Sequence, residues 1–127
     1  MELLPNTFES ASMFVLYICD QDGKISNQEL DEFTEDFPYL KTLYFDLYGE
    51  FIHEDFLESL GNIIQHVKEK NFTSSRVSKK EHAFFSNLIT DPKLQDICLL
   101  ESKHAASADF LHPKEKIKLE YWTKIWT

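Results

Sequence analysis

Apolar residues recur every three to four positions along almost the whole chain, and no stretch sustains the period-two alternation of a half-buried strand. The pattern predicts an all-α protein, a compact bundle of six to seven helices. Asn6 and Glu9, just after Pro5, have capping-box spacing and open a helix that carries Phe8, Ala11, Phe14, Val15 and Ile18 on one side. It ends at an acidic turn, Asp20 to Gly23. Ser26 and Glu29 repeat the capping pattern ahead of Leu30, Phe33 and Phe37, and Pro38 ends that helix. Leu40, Leu43, Tyr44 and Leu47 predict a third helix closed by Gly49, and Phe56, Leu60, Ile63, Ile64 and Val67 a longer fourth.

The periodicity lapses over Asn71-Phe72-Thr73-Ser74-Ser75-Arg76, which is expected to be the longest exposed and most mobile loop. It divides the chain into halves of about 1–70 and 78–127. Ser78 and Glu81 make a third capping box before Phe84, Phe85, Leu88 and Ile89. Asp91-Pro92 then supplies a cap and a first-turn proline for a helix bearing Leu94, Ile97, Cys98, Glu101, Ala105 and Ala108. Pro113 restarts the chain as a last helix, with Ile117, Tyr121, Trp122 and Ile125 expected to close the bundle.

Composition narrows this picture without changing it. At 127 residues, with no linker between two apolar patterns, the chain has the length of one domain, and its 43% hydrophobic content argues against disorder. A formal charge of −9 would repel a phosphate backbone, so neither nucleic acid nor an anionic membrane surface is expected as a partner. No basic leader precedes an apolar stretch, and no run is long enough to span a membrane, so a soluble, cytoplasmic protein is expected. Cys19 and Cys98 stand apart, without metal-ligand spacing, and are expected as buried reduced thiols.

Two acidic turns carry the candidate chemistry. The first runs Asp20-Gln21-Asp22-Gly23-Lys24-Ile25-Ser26-Asn27-Gln28-Glu29, the second Asp109-Phe110-Leu111-His112-Pro113-Lys114-Glu115. Each sets an Asp at the end of one helix and a Glu at the start of the next, which gathers oxygen donors suited to a hard cation. Gly23, Ile25 and Glu29 match the glycine, aliphatic and terminal glutamate positions of an EF-hand loop, but the register puts Ile18 where that loop needs its first carboxylate. The competing explanation is capping alone, since carboxylates near helix N-termini are favoured by about 0.3–1 kcal/mol through the helix dipole.

The pair of units, Asp22-Gly23-x-Ile25-x-x-x-Glu29 and Ala108-Asp109-x-Leu111-His112-Pro113-x-Glu115, resembles the tellurite-resistance TerB-like family over nearly the whole chain. The resemblance implies a helical bundle of two similar halves whose turns converge, so that Asp22, Glu29, Asp109 and Glu115 share a divalent-cation site for Ca, Mg or Mn. Asp20 joins them on chemical grounds, as a carboxylate two residues from Asp22. Phe110 stands where the second turn would carry its glycine. The implied role is non-catalytic: a sensor or adaptor in a stress or tellurite response assembly, acting with a protein partner.

Two other constellations compete. Glu50-x-x-His53 and Glu101-x-x-His104 have the spacing from which helical carboxylate proteins build di-iron sites, although a chain this rich in Glu gives such pairs by chance. Tyr121, Trp122 and Trp126 could form an aromatic patch for a metal-independent interaction module, with core packing as the alternative. Lys114, Lys116, Lys118 and Lys124 give the last helix a basic face in an acidic chain, either solvated or meeting an acidic partner. No nucleophile elbow or glycine-rich phosphate loop is present.

Overall fold

A computed structural model describes residues 4–19, 35, 42, 44–49, 56–70, 72, 76–106 and 113–126, with the side chains of 56–60 and 105–106 excepted. All regular structure among these residues is helical, as the periodicity predicts. The principal helices are α1 (Phe8–Cys19), α2 (Phe56–Lys70), α3 (Lys79–Leu88), α4 (Pro92–Ala106) and α5 (Pro113–Ile125). A further helical stretch covers 44–48 and ends at Gly49, whose φ of 69° is the left-handed conformation that a residue without Cβ adopts at little cost. The Gly49 N–H closes the last turn onto the Phe45 carbonyl at 2.6 Å. The predicted helix opened by Ser26 lies outside the described residues, apart from Glu35, which is helical.

α1 is the axis of the bundle. Every residue in it except Glu9 is buried, so the expectation of one apolar side gives way to a helix enclosed all round. It packs against α2, α4 and α5, while α5 also packs on α4. One hydrophobic cluster draws on α1, on Tyr44, and on Ile63, Val67, Phe85, Leu88, Leu94, Cys98, Leu119 and Trp122 of the surrounding helices. Aromatic rings dominate its middle: Phe14 meets Phe85 edge-on at 5.5 Å between centroids and Trp122 at 5.8 Å, and Tyr17 lies 4.3 Å from Phe85. Such pairs add directional preference to plain burial.

Helix starts follow local chemistry, with one correction. Thr7, not Asn6, caps α1: its Oγ1 accepts the Ser10 N–H at 3.2 Å and its carbonyl accepts the Ala11 N–H at 3.0 Å. Asn6 sits at φ 57°, a region asparagine tolerates better than most residues, and faces the α3–α4 junction instead. Its Oδ1 accepts the N–H groups of Thr90 and Asp91 at 2.9 and 3.0 Å, and its Nδ2 donates to Thr90 Oγ1 at 2.7 Å. The starts of α1 and α4 are thereby fastened side by side. Asp91 caps α4 as expected, accepting the Lys93 N–H at 2.9 Å, and it also accepts the Tyr48 hydroxyl at 2.9 Å.

Phe72 departs from the predicted exposed loop. It is half-buried, with its ring 6.2 Å from that of Tyr17 and 6.0 Å from that of Phe84. No helix among the described residues is long and apolar enough to cross a membrane.

Candidate functional site

Of the expected ligands, Asp20, Asp22, Glu29 and Asp109 lie outside the described residues. Glu115 lies in the first turn of α5 and is 2% exposed, an unusual degree of burial for a carboxylate. Among the described residues no group of three or more His, Cys, Asp or Glu side chains could hold a metal ion. Of the two Glu-x-x-His pairs, Glu50 and His53 lie outside the described residues, while Glu101 is buried and His104 exposed. The second pair therefore does not present both side chains to one buried centre.

The polar chemistry that the structure does assemble centres on Glu81. Ser78 caps α3 by accepting the Glu81 N–H at 3.1 Å, which is half of the predicted capping box. The Glu81 carboxylate turns inward. Its Oε2 accepts hydrogen bonds from the Tyr17 hydroxyl on α1 and from the Lys118 ammonium on α5, and both Glu81 and Lys118 are essentially unexposed, at 1% and 0%. The Tyr17 oxygen in turn accepts the Trp122 indole N–H at 3.2 Å, and the Lys118 Nζ reaches the Phe72 carbonyl at 3.5 Å. Lys118 also lies 5.4 Å from the centre of the Tyr17 ring.

Two groups in this network titrate away from their ordinary values. Burial lowers Lys118 from 10.5, against the opposing pull of the Glu81 carboxylate. Burial, then the charge of Glu81 and the hydrogen bond to it, raises Tyr17 far above 10.0, so the phenol stays a donor. At the edge of the network the His82 ring stacks on Trp122 at 5.6 Å and 11°, with His82 Nδ1 2.6 Å from the Tyr121 hydroxyl oxygen. The arrangement ties α1, α3, α5 and Phe72 together through groups enclosed by the core. It is suited to fixing the packing of the bundle.

The sequence predicts Lys118 on a basic face, either solvated or meeting an acidic partner, and Glu81 as part of a cap. The available signal was the i, i+3, i+4, i+7 spacing of Glu115, Lys118, Leu119 and Trp122, which is the buried stripe of α5. Two charged residues on that stripe disguised it. The stripe expected to close the bundle divides accordingly: Trp122 is buried, Tyr121 half-buried, and Ile117 and Ile125 are 47% and 46% exposed. Trp126 packs against the core, 4.8 Å from both Phe14 and Trp122.

Beside the exposed stripe an open groove of about 790 Å³ runs between α4 and α5. Lys103 lines it from α4, and Lys116, Ile117, Glu120, Tyr121 and Lys124 are among its lining residues on α5. Its rim is therefore basic in a chain of net charge −9. No family model, no curated protein and no solved structure matches the chain.

Proposed function

We propose that the chain is a non-catalytic TerB-like helical domain of two similar halves, which binds a divalent cation through its two acidic turns and acts as a cytoplasmic sensor or adaptor in a stress-response assembly. The observation that carries the reading is the duplicated acidic turn within an all-helical protein, with the one described candidate ligand, Glu115, buried at the start of α5. The donor set is all carboxylate, Asp20, Asp22, Glu29, Asp109 and Glu115, and such hard oxygen ligands fit Ca, Mg or Mn rather than a thiophilic metal. When bound, the ion supplies charge neutralisation. The chain supplies the carboxylates, and the α1–α3–α5 lock gives α5 a fixed position from which Glu115 acts.

Cation binding to the folded state raises apparent stability by mass action and fades as acid protonates the ligands. The test is titration of chelator-stripped protein with Ca, Mg and Mn, followed residue by residue in amide spectra. Saturable shifts that Asp22→Asn and Asp109→Asn abolish support the site. If millimolar metal moves nothing, or if the two variants bind as the parent does, the turns are caps only.

The second reading is a metal-independent interaction module. The exposed Ile117 and Ile125, on a helix whose other face is buried against the core, favour it over an enzyme. Partner capture that persists unchanged in chelator separates it from the first.

A further inference from the structure

The last helix carries two apolar stripes. One, Leu119 and Trp122 with the neutralised Lys118, is buried; the other, Ile117, Tyr121 and Ile125 at i, i+4 and i+8, runs along the outer side of the same helix. Leu100 on α4 adds a further exposed apolar residue, at 55%, one turn before Lys103. Leu100, Ile117 and Ile125, three exposed apolar residues on adjoining helices, with the half-buried Tyr121 between the two isoleucines, form more than the scattered surface apolar positions that need no explanation.

We propose that the α4–α5 groove docks an acidic amphipathic helix of a partner protein. Charge and dimension both select that occupant. Lys103 stands on one wall and Lys116 on the other, while Glu120 is the single acidic residue among those lining the groove. The chain as a whole carries a net charge of −9, so a groove rim of three lysines against one glutamate stands out as a surface complementary to an acidic partner. From Lys116 to Lys124 the wall is a little over two helical turns, about 12 Å at 1.5 Å per residue. A partner helix with apolar residues at i, i+3, i+4 and i+7 covers that length, laying them on Ile117 and Tyr121 with its carboxylates toward the lysines. A small anion would satisfy the lysines but leave the apolar floor in water.

This inference goes beyond the cation reading and does not depend on it, so its test is run in excess chelator. The full chain is titrated with a synthetic helical peptide carrying Leu at i, i+3, i+4 and i+7 and Glu elsewhere, and with the same peptide bearing Lys in place of Glu. Fluorescence anisotropy gives affinity, and amide spectra give location. The expected result is saturable binding of the Glu peptide, with shifts centred on Leu100, Lys103, Lys116, Ile117 and Tyr121, and none for the Lys peptide. Lys103→Glu with Lys116→Glu weakens binding by about tenfold or more, as reversing two rim charges does, and Ile117→Ser weakens it through the apolar floor. All three positions are exposed, so the variants keep the parent's thermal melt. Absence of saturation, equal binding of both peptides, or unchanged affinity in the variants overturns the proposal. So does a dimer that forms without peptide and is lost in Ile117→Ser, because the occupant is then a second copy.

Discussion

At the scale of single residues, the lock between Glu81 and Lys118 decides how the core tolerates change. Removing one partner leaves the other charge buried and uncompensated, which costs about 3–5 kcal/mol, whereas replacing both with apolar groups of similar volume is often neutral. Lys118→Met alone should therefore lower stability to urea by about that amount, and Glu81→Leu with Lys118→Met should recover most of the loss; additive losses in the double variant would contradict the lock. Tyr17 and Cys98 set the alkaline limit. Burial, with Glu101 nearby, raises the Cys98 thiol above its ordinary 9.0, as burial and Glu81 raise Tyr17 above 10.0, so the folded state holds both protons more tightly than the unfolded chain. Their contribution is complete below pH 9.0 and declines as pH rises past it. Lys118 acts in the opposite sense, because its lowered value makes the unfolded chain the tighter proton binder as pH approaches 10.5. Urea midpoints measured through this range should fall above pH 9.0, and Cys98→Ala should delay the fall toward 10.0. Ser12 and Ser102 are buried with hydroxyls that have no hydrogen-bond partner among the described residues, so Ser12→Ala or Ser102→Ala should leave stability unchanged or raise it by up to about 1 kcal/mol. A loss of 2 kcal/mol or more in such a variant would show that the hydroxyl is satisfied.

At the scale of helices, the start of α1 depends on two adjacent residues with separate tasks. Thr7→Ala removes a cap and should cost about 1 kcal/mol, while Asn6→Ala removes three hydrogen bonds to the α3–α4 junction and should cost more. Thermal melts of the two variants would rank them, and the reverse order would contradict this division of labour. The capping box legible in Asn6 and Glu9 was right in locating a helix start and wrong by one residue in its cap, because a tertiary contact with Thr90 and Asp91 competes for the asparagine. Helix periods, Gly49 as a helix end, Ser78 and Asp91 as caps, and the buried thiols were all visible along the chain, since each follows from local geometry or from burial preference. The inward course of Glu81 and Lys118 was not. Their residue types argue for solvent, and only the meeting of α1, α3 and α5 supplies the partners that make burial tolerable. The same limit hid the face of α5: a stripe of Ile117, Tyr121 and Ile125 looks more apolar than one holding Glu115 and Lys118, yet it is the latter, with Leu119 and Trp122, that faces the core.

At the scale of the whole molecule, a bundle built around one enclosed helix leaves function to its ends and outer faces. The proposed cation site belongs to the helix ends, where the acidic turns fall, and the proposed docking groove to the outer face of α4 and α5. The two are separable, since the groove is built from residues on helices that the core already fixes. The proposed cation site is less legible than the fold: the carboxylates stand out by repetition, but a shared site requires two turns far apart in sequence to meet, which no local pattern encodes. The proposed cation site requires both turns to hold one ion. Paramagnetic Mn added in substoichiometric steps to chelator-stripped protein tests it directly, because the ion broadens amide signals only in its neighbourhood. If one ion bridges the turns, signals around Asp22, Glu29, Asp109 and Glu115 broaden together, saturate at about one ion per chain, and recover on adding chelator. Broadening confined to one turn, or diffuse broadening that tracks exposed carboxylates generally, would contradict it.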